Sequence, residues 1–150
     1  MLIGIIGESC SGKSTLAEKI RDAIGAEVMT GKDYLRMAGT EAEAVKLFRE
    51  KLKKALTGDH LIYVISEPDH LALLPEGAVR ILVLADLDTI KARFRARMRG
   101  NLPGPVEKML ERKHGRFDSV PCDYRFDGEN GDADELCRLL TEDGLKSEWI

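Results

Sequence analysis

The stretch MLIGIIGESCSGKST, residues 1–15, decides the fold. Leu2–Ile6 is short, apolar and rich in β-branched residues, the composition of a strand covered on both faces. Gly7-Glu8-Ser9-Cys10-Ser11-Gly12-Lys13-Ser14 then fits the spacing G-x-x-x-x-G-K-[ST], and Thr15 extends it. Small residues let the backbone curl and aim successive N–H groups into one concavity. The helix that follows adds its positive N-terminal end. Such a concavity suits a polyphosphate: Lys13 can reach the β- and γ-phosphates, and the Ser14 hydroxyl can meet Mg²⁺. A plain glycine-rich strand-to-helix turn is the competing reading. Four constrained positions give on the order of one chance match per few hundred chains of this length, and the flanking strand and helix lower that further.

Outward from this turn the pattern alternates. Leu16, Ala17, Ile20, Ala23 and Ile24 recur at helical spacing until Gly25. A weak strand is expected at 26–29, a helix at 40–56, and buried strands at Leu61–Ile65 and Val79–Leu84. Leu87, Ile90, Phe94 and Met98 mark the next helix, which GNLPGP at 100–105 must break. A short charged helix at 106–114, a strand at 124–126 and a helix at 133–140 complete the pattern. Trp149 is expected in an exposed or lightly packed tail. Alternating strands and helices imply a three-layer α/β/α sandwich on a mostly parallel five-stranded sheet. Ligands of such sheets bind at the carboxyl ends of the strands, where the opening turn lies.

At 150 residues the chain is expected to be a single domain, 1–150. It is 43% hydrophobic and 33% charged, as a soluble globular protein would be. Its 23 basic and 26 acidic residues leave a formal charge of −3, which gives no general attraction to nucleic acid or an anionic membrane. No apolar run reaches the length of a membrane span, and residues 1–7 lack the basic leader of a signal peptide. Cys10, Cys122 and Cys137 lack metal spacing and fit reduced thiols in a cytoplasmic protein. His60, His70 and His114 show no ligand spacing either.

The helix after the fourth strand reads ADLDTIKARFRARMRG. At helical spacing Arg93 and Arg97 share one flank of the apolar stripe, and Lys91, Arg95 and Arg99 the other. The second trio reads as a solvated basic face. The helix that carries Arg93 and Arg97 begins near the carboxyl edge of the sheet, and arginine's planar donors match the charge on a phosphoryl group in transfer. Past the breaker, Arg112 and Arg116 again stand four apart. A cationic helical flap there could close over phosphates and exclude water, or be an ordinary surface helix.

These stretches together resemble the small P-loop nucleoside and nucleotide kinases, especially the adenylate-kinase-like group. GESCSGKST (7–15) is similar to the family's phosphate cradle, TGKDYLR (30–36) to its acceptor-phosphate segment, and DLDTIKARFRAR (86–97) to its helix with two phosphate-clamping arginines. FDGENGDADELCRLL (126–140) is similar to its closing strand, adenine-side loop and helix. The resemblance implies ATP and Mg²⁺ as cofactors and Arg93 and Arg97 on the ATP phosphates. It implies a lid near 98–116 with Arg112 and Arg116, and an acceptor side near 30–57 with Thr30 and Arg36. It sets Asp127, Gly128 and their neighbours to 130 beside adenine. YVISEPDHL (63–71) departs from the family: Glu67 stands for its acid, possible holder of magnesium-bound water, but no acceptor-binding arginine follows.

Asp69 stands there instead, and would repel a phosphate acceptor. A hydroxyl acceptor benefits from a carboxylate that takes its proton. Asp33, Glu67 and Asp69 could form such an acidic pocket, with Asp33 as base; Arg36 argues for an anion, and a helix cap is the plainer role for Asp33. The reading is an ATP-dependent kinase acting on a nucleotide, nucleoside or other small hydroxylated acceptor. Lys13, Arg93, Arg97 and Asp33 carry the chemistry; Asp33, Arg36, Glu67, Arg112 and Arg116 hold the acceptor; Ser14 and Glu67 serve the metal. A monomer or small homo-oligomer without nucleic-acid or membrane partners is expected. A P-loop ATPase or nucleotide switch without an acceptor is the alternative.

Overall fold

A computed structural model describes residues 1–148, with side chains described as far as Glu142, so Trp149 lies outside the described residues. Five strands form one sheet: β1 (Leu2–Ile6), β2 (Glu27–Thr30), β3 (Leu61–Ile65), β4 (Val79–Leu84) and β5 (Tyr124–Asp127). Their order is β2-β3-β1-β4-β5, and all four pairings are parallel. The chain steps from β1 to one side and, after β3, crosses to the other, so the turn after β1 sits where the strand order reverses.

Strand alternation divides the core into two layers. Leu2 and Ile6 face a cluster with Phe48, Leu52, Tyr63 and Phe117; Ile3 and Ile5 face another with Leu16, Ile20, Leu136 and Leu140. The first is covered by α2 (Glu41–Ala55), the second by α1 (Lys13–Ile24) and α6 (Ala133–Glu148). The expected three-layer α/β/α sandwich is therefore the observed one. Gly4 is needed on the first face, where a Cβ would stand 2.5 Å from the Leu74 side chain.

Local chemistry sets the ends of these elements. Thr40 Oγ1 accepts the Glu43 N–H at 3.3 Å and starts α2. Gly25, at φ 73°, ends α1 and returns its N–H to the Arg21 carbonyl. The last helix runs past the expected stop at 140 to Glu148, supported by Arg138 paired with both Glu135 and Glu142. Where Asp33 could have capped a helix, a 3-10 turn at Asp33–Met37 follows Lys32, and one short element was not expected: α3 (Pro68–Leu71), which begins on the proline. Between β4 and β5 lie α4 (Leu87–Arg97) and α5 (Gly104–Lys113). Lys91 is not on a solvated face: it bonds Glu107 at 3.2 Å and Glu111 at 2.7 Å and ties α4 to α5. No helix among the described residues is long and apolar enough to cross a membrane. The three cysteines are free thiols.

Candidate active site

The turn between β1 and α1 needs its glycines. A Cβ on Gly7 would stand 2.7 Å from the Val83 carbonyl oxygen, and one on Gly12, at φ 110°, 3.1 Å from that of Gly128. Cys10 takes φ 64°, a left-handed conformation that a side chain disfavours. Left-handed residues alternating with others, as Cys10 and Gly12 do on either side of Ser11, turn successive N–H groups inward and form an anion-binding concavity. Ser11 Oγ is buried there without a hydrogen-bond partner. A close glycine-lined backbone and an orphaned hydroxyl both fit a polyphosphate.

Lys13 is buried, and its ammonium donates to the Glu8 carbonyl. Burial pushes it down to about 8, and the positive charge of Arg97 acts in the same direction against Glu8 and Cys10. A cleft of about 510 Å³ opens along this turn. Cys10, Gly12, Lys13, Ser14 and Thr15 line it, together with Arg93 and Arg97 from α4 and Asp127 and Gly128 from the turn after β5. Asp127 accepts the N–H groups of Glu129 and Asn130 at 2.8 and 3.2 Å; these bonds hold its carboxyl below the usual range and shape that turn.

The two arginines, equal in sequence, differ in surroundings. Arg93 Nη1 donates to the Cys10 carbonyl at 3.1 Å and Nη2 to that of Gly128 at 2.9 Å. Arg97 is exposed, lines the cleft, and has no hydrogen-bond or ion-pair partner among the described residues. Lys19, which sequence reasoning passed over, also lines the cleft. Its position four residues after Thr15 on the same helical face was the available signal.

On the other side of Ser9 a small cavity separates the turn from α5. Arg116 donates to Glu67 at 2.8 Å across it, with Lys113 4.0 Å from the same carboxylate. These contacts, led by the Arg116 hydrogen bond, hold the Glu67 carboxyl below the usual range. His114, given no role from sequence, lies with Nδ1 3.1 Å from Glu8 Oε1. Arg112 is exposed and has no partner among the described residues.

Asp33 Oδ2 accepts both the Thr30 N–H, at 2.9 Å, and the Thr30 hydroxyl, at 3.1 Å. It therefore bonds backward and does not cap the turn that follows it. Asp33, Arg36 and Asp69 line neither the cleft nor the small cavity, so neither gathers the expected acidic pocket. Among the described residues no group of three or more His, Cys, Asp or Glu could hold a metal ion. Of the two metal candidates, Glu67 is engaged by Arg116, while Ser14 lines the cleft, where its hydroxyl would hold a magnesium ion together with nucleotide and water oxygens.

These features define the fold of the small P-loop kinases. A sugar kinase from Janibacter sp. HTCC2649 superposes with a TM-score of 0.59 at 19% identity, covering 93% of this chain and 92% of that one. Shikimate kinase from Acinetobacter baumannii, solved with shikimate, gives 0.61 at 15% identity over 97% and 93%. Deoxyadenosine kinase from M. mycoides with bound dATP gives 0.55 at 15% over 95% and 98%. No protein-family model and no curated protein matches the sequence. At these identities the likeness establishes the fold.

Proposed function

We propose that the chain is an ATP-dependent phosphotransferase acting on the hydroxyl of a small acceptor, a nucleoside or another hydroxylated metabolite. The observation that carries this reading is the convergence of the buried Lys13 ammonium and the unpartnered Arg97 on a glycine-lined cradle beside a cleft of about 510 Å³. The names of the structural neighbours, kinases of sugar, shikimate and deoxyadenosine, support the same class.

Bound ATP with its magnesium supplies the γ-phosphoryl group and part of the charge neutralisation. The backbone N–H groups of the cradle hold the phosphate tail in place. Lys13 and Arg97 meet the charge that spreads over the equatorial oxygens during transfer. A bond forms between the acceptor oxygen and phosphorus as the bond to the bridging β–γ oxygen breaks, and ADP leaves. Asp33, whose Oδ1 has no hydrogen-bond partner among the described residues, takes the acceptor's proton. Arg36 and Arg116 border the acceptor, and Asp127 and Gly128 border the base.

ADP formation from ATP is measured against nucleosides, sugars, hydroxy acids and nucleoside monophosphates. A hydroxyl acceptor that raises turnover, with Asp33→Asn abolishing the increase while ATP affinity stays, is the expected result. Turnover indifferent to every acceptor gives instead the ATPase or switch. Stimulation by monophosphates alone makes the acceptor a phosphate and removes Asp33 as base.

A further inference from the structure

We infer that Arg93 is a positioning residue: it fastens the phosphate cradle to the turn after β5 before any ligand binds, and so joins the two ends of the nucleotide site into one unit. The inference rests on the reading of the cleft as a nucleoside triphosphate site, and gives Arg93 a different role from Arg97.

Two donors of one guanidinium are already engaged, Nη1 with the Cys10 carbonyl at 3.1 Å and Nη2 with that of Gly128 at 2.9 Å. The guanidinium is planar and its donors have fixed directions, so the two carbonyls are held in one relative orientation. Each belongs to a backbone that needs holding. Cys10 is a non-glycine residue at φ 64°, a conformation that persists where surrounding contacts determine it. At Gly128 a Cβ would collide with the Ser11 carbonyl, so the two turns touch through backbone alone. Arg93 crosses this contact from α4, one turn after Ile90, which is buried and anchors the helix. A second strut runs beside it: the Asp86 N–H donates to Glu129 Oε1 at 3.2 Å.

The two carbonyls take one N–H from each terminal nitrogen, so Arg93, which also lines the cleft, can meet a phosphate only from the place these bonds fix. Arg97, one helical turn on, has no such ties and faces the same cleft. Removing Arg93 therefore loosens both turns in the ligand-free protein and weakens the phosphate end and the base end together. Removing Arg97 weakens the phosphate end alone.

Amide exchange of the ligand-free full chain separates these roles. Arg93→Ala should speed exchange in peptides spanning 7–13 and 127–132 by about tenfold, with β1 and β3 amides unchanged; Arg97→Ala should leave both turns as in the parent. Competition against a fluorescent ATP analogue then reads tripolyphosphate and adenosine separately. Arg93→Ala should weaken both, and Arg97→Ala tripolyphosphate only. Unchanged exchange, or loss of tripolyphosphate affinity alone in Arg93→Ala, overturns the inference. Should Arg93→Ala fail to fold, Arg93→Met is read in the same way: it keeps much of the stem but has no donor for either carbonyl, so protection equal to the parent overturns the inference. If the parent binds no ATP, the nucleotide reading fails while the exchange result still decides the strut.

Discussion

Arg116 Nη2 donates to Glu67 Oε2 at 2.8 Å, so the segment after α5 is fastened to the turn after β3. Phe117 follows at once and is buried in the core cluster under α2. The ion pair thus lies at a fixed root, and α5 extends from it towards Gly104 at the far end.

The pair's worth follows from its exposure. Glu67 is 49% exposed and Arg116 20%, so solvent screens the attraction, and Glu67→Gln should cost no more than ~1 kcal/mol at pH 7. The Arg116 hydrogen bond depresses the Glu67 pKa. Its contribution is therefore complete above the ordinary glutamate value of about 4.3 and is lost as pH falls through the lower, folded value. Urea unfolding of parent and variant should differ at neutral pH and converge in acid. A difference that grows in acid contradicts the pairing.

Gly128 tests the contact between the two turns. An added Cβ meets the Ser11 carbonyl oxygen and lies 3.1 Å from that of Leu84, both backbone atoms with no rotamer to yield. Gly128→Ala should cost about 1–3 kcal/mol of stability and weaken ATP binding at saturating magnesium. A Tm equal to the parent's would show that the turns stand further apart.

Tyr63 tests the support beneath the acceptor side. Its hydroxyl donates to the Gly31 carbonyl at 2.7 Å, and its ring meets Phe48 edge-on at 4.9 Å. Burial pushes the phenol's pKa up and keeps it neutral and donating. Tyr63→Phe keeps the packing and removes the bond, at a cost of about 1 kcal/mol. Because Gly31 precedes Asp33, the KM for the acceptor should rise while that for ATP holds. A rise in the ATP KM instead would detach Tyr63 from the acceptor side.

The strands and the cradle were legible because their signals are local. An apolar run such as Leu61–Ile65 needs no knowledge of its neighbours to be read as buried, and Gly7 to Ser14 form one continuous motif. The Asp33 carboxylate reaches back to Thr30, where forward capping was the competing expectation, and the 3-10 turn at Asp33–Met37 begins without a side-chain cap. Arg93 and Arg97 share a helix face, and periodicity cannot separate them. What distinguishes them is a pair of carbonyls 83 and 35 residues away in sequence. His114 joins Glu8 across 106 residues and left no spacing to read.

Lys13 ties both stability and phosphate binding to pH. Its pKa falls from about 10.4 in an unfolded chain to about 8 on folding. A lysine shifted down destabilises the folded state wherever it is charged in both, that is below about 8, and the penalty fades as pH rises towards the unfolded value. Lys13→Met should therefore stabilise the ligand-free protein at pH 7, by on the order of 1–3 kcal/mol, while lowering turnover ~10²-fold or more. A polyphosphate favours the charged ammonium, so binding must take up a proton above pH 8 and weaken as pH rises further. Calorimetry of ATP binding at pH 8.5, in two buffers of different ionisation heat, reads that proton directly. Uptake in the parent and none in Lys13→Met is expected; equal uptake in both would place the titrating group elsewhere.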